Sequence, residues 1–378
     1  MTEKKLIYIT SWDFTDAEAN GVCKKIFSQI KAFRKAGLSV DYTYIKNGST
    51  WINKAGVEIL LGHNHHMSKL AAHRLIAGYV KENAYPCVYI RYNKADPDFI
   101  RLVKRLKEEG SCILVEIPTY PYDNECKGCL RDRMVLMVDK MYRGKIHKYI
   151  DSFVSYSDDT EIFGAPSMHV MNGIDMDTVE PIKPEEKKDD TINLIAVAAF
   201  APSHGYDRMI RSLGEYYNNG GKRNISFHMV GYGELVKEYE RLIKQYHLEA
   251  HVILYGKKFG KELDEIYNKA DIGICKLGCF RISTSIVSSE LKSKEYAARG
   301  IPMVSACQMD TFPQEEYKYI HIFSGDESNI SINELISFYE SVYKDTDRSK
   351  IITDIRQYAG MHCSMEVVMC EIIKFYKK

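Results

Sequence analysis

No stretch of this sequence approaches the roughly 20 consecutive apolar residues that a membrane-spanning helix needs. The apolar run at 6–10, Leu6-Ile-Tyr-Ile-Thr10, is too short for the core of a secretory signal. Charge of neither sign predominates: 52 Lys and Arg against 51 Asp and Glu leave a formal net charge of +1, too little to gather nucleic acid by a global field. Tandem zinc-site spacing is missing, because Cys126 and Cys129 form a lone C-x-x-C with no second pair. The ten cysteines are therefore expected to be reduced thiols of a cytoplasmic protein. No G-x-G-x-x-G follows the first apolar run, which disfavours a nicotinamide oxidoreductase. No acidic pair is placed for a metal either. Asp158-Asp159 follows a strand among polar residues, and Asp189-Asp190 falls in a charged linker.

What is present is an alternation of short β-like runs and helical periods over most of the chain, the pattern of parallel sheets covered by helices. Strands are predicted at 6–10, 40–45, 57–61, 87–91, 112–116, 153–156 and 169–171. Val22, Ile26, Ile30 and Phe33 lie at helical spacing ahead of Gly37, and further helices are predicted at 67–81 and 99–109. Residues 180–190, with two prolines and many charges, have linker composition. The alternation then restarts, with strands at 192–198, 225–230, 252–255, 272–275 and 303–306 and helices at 206–218, 234–246, 261–269 and 290–299. Two α/β halves are expected, with the ligand in a cleft between them.

The second half holds the sharpest candidates. Ser288 and Ser289 stand where a helix N-cap belongs, Gly300 at its end and Pro302 beyond. The free N–H groups at 288–291, including those of Glu290 and Leu291, would make a phosphate site. Lys292 adds positive charge, and Glu295 could accept from a ribose diol. The plainer alternative is a solvated surface helix. The turn Phe200-Ala-Pro-Ser-His204-Gly205-Tyr-Asp207-Arg208 follows the first strand of that half. Gly205 allows close backbone approach and Arg208 a fork of donors for a diphosphate, unless Asp207 and Arg208 merely pair with each other. Gly231-Tyr-Gly233 also ends a strand. In the first half, Asn20-Gly21 precedes a helix and either approaches a phosphate or only starts that helix. Glu116-Ile-Pro-Thr119-Tyr120-Pro-Tyr122 has side chains suited to sugar hydroxyls or a general base, although its prolines could simply set a rigid turn.

Taken together, Met171-Asn-Gly173-Ile-Asp175, residues 200–208, Gly231-Tyr-Gly233-Glu234, Ala270-Asp-Ile-Gly-Ile274 and Glu295-Tyr-Ala-Ala-Arg-Gly-Ile-Pro-Met-Val304 resemble the donor-binding half of family 4 retaining glycosyltransferases of the GT-B fold. The runs HGYDR, EIPTYPYDNE and LKSKEY resemble a subgroup from bacterial surface-polysaccharide pathways. The resemblance implies two Rossmann-like domains facing each other across a cleft. Residues 1–178 would bind acceptor and 179–361 would bind donor, with a terminal helix at about 362–378 packing back on the first domain. It implies a nucleotide diphosphate sugar as donor, with UDP expected, and no metal or other cofactor. Glu295 would hold the ribose, and the amides at Ser288 and Ser289 the diphosphate. Arg208 and Lys292 would offset leaving-group charge, Gly21 would approach from the other domain, and Gly173 would lie in the cleft. Arg281 falls where the transferred sugar would be read. Two departures stand out: Val287 occupies the place of a frequent acidic residue, with Glu290 displaced from it, and Ala199, Phe200 and His204 stand near the family's phosphate-turn Arg and Lys.

The reading that follows is retaining transfer to a glycan or lipid-linked saccharide, with the leaving phosphate helping to deprotonate the acceptor. Rival readings are a nucleotide-sugar epimerase or hydrolase of the same shape, or a sugar-nucleotide-binding module without catalysis. Residues 127–148 combine Lys127, Arg131, Arg133, Lys140, Arg143, Lys145 and Lys148 with Met134, Val135, Leu136, Val138, Met141 and Ile146. This stretch either lies on an anionic membrane at the inner face or packs as an ordinary helix.

Overall fold

The computed structural model describes residues 4–15, 21–63, 68–123, 130–184, 189–281 and 287–378, so Asn20, Cys126, Lys127 and Cys129 lie outside the described residues. Contacts divide the chain into two units, Met1–Met171 with Val368–Lys378, and Asn172–Val367. Among the described residues no helix is long and apolar enough to cross a membrane.

The first unit runs β1 (Lys4–Ile9), α1 (Gly21–Lys35), β2 (Leu38–Lys46), β3 (Ser49–Lys54), β4 (Val57–His63), α2 (Ser68–Val80), β5 (Cys87–Arg91), α3 (Pro97–Glu108), β6 (Cys112–Ile117), α4 (Leu130–Tyr142), β7 (Ser152–Ser155), β8 (Glu161–Ile162) and β9 (Ala165–His169). Its sheet has the order β4-β3-β2-β1-β5-β6-β7-β9-β8. The stretch from β2 to β9 in that order is parallel, and the sheet reverses its winding between β1 and β5. Every residue of β5 is buried, which is why Cys87-Val-Tyr-Ile-Arg91 reads as unbroken strand and not as an alternating one. Helix α3 starts where it does because the Asp96 carboxylate accepts the Phe99 N–H at 2.6 Å and Pro97 opens the first turn.

The second unit contains β10 (Ile192–Phe200), α5 (Tyr206–Asn218), β11 (Ile225–Gly233), α6 (Val236–Gln245), β12 (Val252–Leu254), α7 (Gly260–Lys269), β13 (Ile272–Ile274), β14 (Val287–Ser288), α8 (Leu291–Arg299), β15 (Met303–Ser305), β16 (Gln308–Met309), β17 (Ile320–Ile322), α9 (Ile332–Tyr343) and α10 (Arg348–His362), followed by the short α11 (Met365–Val368). Its sheet, β12-β11-β10-β13-β15-β17, is parallel throughout. That is the doubly wound order in which winding reverses between the first and fourth strands, so the crevice for a ligand lies beyond the carboxyl ends of β10 and β13. Both units are thus Rossmann-like.

The stretch read as a linker begins anchored to the second unit: Ile182 is buried and donates its N–H to the Arg299 carbonyl at 2.9 Å. Arg356 of α10 holds the carbonyls of Met176 and Val179 at 2.8 and 2.7 Å. The final helix, α12 (Cys370–Lys377), belongs to the first unit, where the Tyr376 hydroxyl donates to the Val88 carbonyl at 2.6 Å. One expectation about the thiols is corrected. Cys279 and Cys307 form a disulfide, because pairing of β13 with β15 brings the loops after those strands together; the other six described cysteines are free.

Candidate functional site

In the second unit the first strand–helix turn lands at the switch point. Residues Pro202–His204 form a single 3-10 turn, and Gly205, at φ 62°, starts α5. A Cβ on Gly205 would lie 2.5 Å from the Gly278 amide nitrogen and 2.6 Å from the Leu277 carbonyl carbon. Only glycine fits, because the loop after β13 crosses there backbone against backbone. The Leu277 N–H donates to the His204 carbonyl at 2.8 Å and fixes the crossing.

His204 itself stays neutral. Its Nδ1 accepts the Ala201 N–H at 3.2 Å, so the ring proton sits on Nε2. Burial, then the positive charges of Lys292 and Lys276, lower its pKa from 6.5 to about 3. Its ring stacks on Tyr206 at 5.4 Å. The Lys292 ammonium donates to the Tyr206 hydroxyl at 3.0 Å and lies 3.4 Å from the Glu290 carboxylate. Lys292 is therefore held in place and is not a mobile charge. Glu290 is also spent internally: it is 7% exposed, and its other oxygen accepts the Lys276 N–H at 3.3 Å. Its carboxylate is thus spent on the Lys292 ammonium and the Lys276 backbone amide.

Helix α8 begins with Leu291 exposed, just after Ser288 and Ser289, both half-buried. The Asn172 N–H donates to the Ser289 hydroxyl at 3.2 Å, and its side-chain amide to the Ser289 carbonyl at 2.7 Å. Gly173 follows, buried, so the chain entering this unit is tied to the start of α8. Glu295 remains partly exposed on α8 and accepts from Arg299 at 3.2 Å.

The guanidinium groups of two expected donor contacts are engaged inside the unit. Arg208 is fully buried and its guanidinium is consumed by the carbonyls of Ser328 at 2.9 Å, Ser324 at 3.0 Å and Leu277. It stitches the loop after β17 to the loop after β13 and has no face for a diphosphate. Arg281 is clamped between Asp207 and Glu327, at 2.7 Å to each, so Asp207 pairs with Arg281 and Arg211 and not, as the plainer alternative had it, with Arg208. Gly231 and Gly233, both half-buried, stand at the carboxyl end of β11 and press on the neighbouring strand. A Cβ would fall 1.8 Å from the Ala198 carbonyl oxygen at the first and 2.2 Å from that of Phe200 at the second.

In the first unit, Glu116 lies at the carboxyl end of β6 and is completely buried. It accepts from Gln29 and Tyr89, each at 2.7 Å, from Tyr156 at 3.2 Å, and from Arg91. Burial pushes its pKa up, but Arg91 and Lys25 more than offset this, leaving it below the ordinary carboxylate value. Lys25 is lowered by burial to about 8. Glu116 therefore organises a closed polar network and does not face an acceptor. Tyr122 is buried too, donating to Asp139 at 2.7 Å. Of the four expected acceptor-side residues, Thr119 is exposed and Tyr120 half-buried. Gly21 opens α1, exposed, and a Cβ there would meet nothing within 4 Å.

The structure therefore gathers His204, Gly205, Ser288, Ser289, Leu291 and Lys292 around one end of the second sheet, and engages the guanidinium groups of Arg208 and Arg281 within the unit. Lys276 was not anticipated, and Asn172 and Tyr206 stood within the quoted runs without an assigned role. Lys276 directly follows the strand predicted at 272–275, which was the available signal. Among the described residues no group of three or more His, Cys, Asp or Glu side chains is placed to hold a metal ion.

Residues 178–278 match the family model described as Glycosyl transferases group 1. A search among curated protein sequences finds no match. Solved structures of similar fold include a glycosyltransferase from Rickettsia africae, 14% identical with a TM-score of 0.65, covering 100% of this chain and 98% of that one. They also include Anabaena HepE in complex with UDP and glucose, 12% identical with a TM-score of 0.57, covering 99% of this chain and 100% of that one. The catalytic domain of Arabidopsis thaliana starch synthase IV, bound to ADP and acarbose, is 11% identical with a TM-score of 0.65, covering 100% and 99%. These likenesses are of fold, and the fold is GT-B. The matched segment, which ends at Gly278 of the backbone crossing, marks the chain as a glycosyltransferase.

Proposed function

We propose that the chain transfers a sugar with retention of configuration, without a metal, from a UDP-sugar to a glycan or lipid-linked saccharide acceptor in surface-polysaccharide synthesis. The observation that carries this reading is the crossing of the His204–Gly205 turn with Leu277–Gly278 at the switch point of the second sheet, with Lys276 and Lys292 beside it. Open α/β sheets bind ligands at that place. HepE, of the same fold, holds UDP and glucose in its crystal structure, which supports UDP as the nucleotide here.

The leaving diphosphate would take a hydrogen bond from His204 Nε2–H and from the free N–H groups that open α8, and its charge would be offset by Lys276 and Lys292. A neutral imidazole donates to phosphate without having to be protonated. Asn172 is a positioning residue, since it holds Ser289 at the entrance to α8. Glu295 keeps an exposed carboxylate edge for ribose hydroxyls. The acceptor proton would pass to a phosphate oxygen on the same face as the departing bond, so the anomeric configuration is kept. The test is proton NMR of the first product formed from an α-linked UDP-sugar, run with excess EDTA. An α-linked product formed at an undiminished rate supports the reading; a β-linked product, or loss of activity with EDTA, refutes it.

A further inference from the structure

Helix α4 is turned inside out relative to an ordinary surface helix. Leu130, Met134, Met137 and Met141 fall at i, i+4, i+7 and i+11, within about 60° of one another around the helix axis. All four face outward: they are 74%, 51%, 60% and 61% exposed. The one fully buried residue of the helix is an acid, Asp139, on the opposite side. Its carboxylate accepts the Ala95 N–H at 2.7 Å, the Tyr122 hydroxyl at 2.7 Å and the Tyr92 hydroxyl at 2.5 Å. Arg143 reaches the same carboxylate at 3.5 Å and Asp123 at 2.6 Å. The polar face is thus pinned to the unit by directional bonds, and the helix cannot simply roll to hide its methionines. Surface helices normally bury the apolar stripe and show the polar one.

The rim of the stripe is cationic. Arg131 lies on one side, with Arg133 and Lys140 on the other, all exposed. Exposed Lys145 and Lys148 continue the basic surface through the 3-10 turn that follows. Lys140 is shared with Asp123 at 3.0 Å, whereas Arg131 and Arg133 have no ion pair among the described residues. Four side chains on one 13-residue helix offer an apolar strip of a few hundred Å². That is well short of the roughly 800 Å² per partner that a stable protein–protein contact buries. A bilayer surface requires no matching partner face, and a leaflet of anionic lipid supplies the charge that complements the rim.

We infer that α4 is a membrane-docking helix. It lies flat on an anionic lipid surface, with Leu130, Met134, Met137 and Met141 in the acyl boundary and Arg131, Arg133, Lys140, Lys145 and Lys148 among the headgroups. This docking does not depend on which donor or acceptor the enzyme uses. Flotation of the full chain with phosphatidylcholine vesicles, with and without about one-third phosphatidylglycerol, tests it. The wild type is expected to float with the anionic vesicles only, and less so as salt is raised. The triple variant M134S/M137S/M141S should partition about tenfold or more less with an unchanged thermal midpoint, because its altered side chains face outward. R131E/R133E should lose the preference for anionic lipid. Equal flotation of the triple variant and wild type overturns the inference, as does a wild type that does not float. A wild type that is dimeric in solution, and is made monomeric by the triple variant, would instead assign the stripe to a second copy of the chain.

Discussion

Replacing Arg208 by alanine should unfold the second unit before it harms the chemistry. The guanidinium is fully buried and gives three hydrogen bonds to carbonyl oxygens, of Leu277, Ser324 and Ser328. Bonds to a charged group contribute about 1.5–3 kcal/mol each, and the loss leaves three buried acceptors without their donor. Against this, removing the charge also relieves its own burial cost. A net destabilisation of about 3–4 kcal/mol follows, in the range that broken buried networks produce. For a unit of this size each kcal/mol moves the thermal midpoint by roughly 2–4 °C, so a drop of about 6–16 °C is expected. Both tryptophans, Trp12 and Trp51, lie in the first unit, so tryptophan fluorescence follows that unit alone. Far-UV circular dichroism follows both. Arg208→Ala should lower the circular dichroism midpoint and move the fluorescence midpoint less, and Arg208→Lys should recover part of the loss. A variant with wild-type melting and a kcat reduced more than a hundredfold would refute the reasoning and return Arg208 to the reaction itself.

Gly231→Ala should cost about 3 kcal/mol or more and reduce soluble yield, because its Cβ would overlap the Ala198 carbonyl of the neighbouring strand; chemical denaturation measures this. Gly21→Ala should leave the melting midpoint unchanged, since nothing lies within 4 Å of the added methyl group, while raising KM for donor if this turn approaches the phosphates; the two readouts separate framework from contact. His204 binds its proton less readily in the folded state, at about 3 against an ordinary 6.5, so the unfolded chain takes up a proton first as pH falls. The stability that its neutral form contributes is therefore complete above about pH 6.5 and lost towards pH 3, and His204→Gln should show a shallower fall in thermal midpoint between these limits than wild type.

The two-unit α/β plan was legible because its central strands hold buried, unbroken apolar runs, as in Cys87-Val-Tyr-Ile90 and Leu194-Ile-Ala196. The hairpin of β3 and β4 was half-missed. Its turn uses Ala55 at φ 51° in place of the asparagine or aspartate that usually signals a turn before glycine. The candidate site was legible as a location, and less so as a list of contacts. Residues Tyr206, Asp207, Arg208, Met209 and Ile210 are all buried in succession, so no helical period in the sequence tells an inward arginine from one facing a ligand. The spacing of Gly231 and Gly233 fits a phosphate loop and equally a strand whose alternate residues press on a neighbour, and the pairing of β11 with β10 was needed to show the second. The outward face of α4 was hidden for a similar reason. Its composition is that of any amphipathic helix, and Asp139, anchored through Tyr92 and Tyr122, decides which side turns in.

The central claim is that a nucleoside diphosphate binds beyond the carboxyl ends of β10 and β13. Hydrogen–deuterium exchange of the full chain with and without saturating UDP tests it most directly. The account predicts protection concentrated at residues 201–206, 276–278 and 288–292. Protection confined to other segments, with those three unchanged, would contradict it.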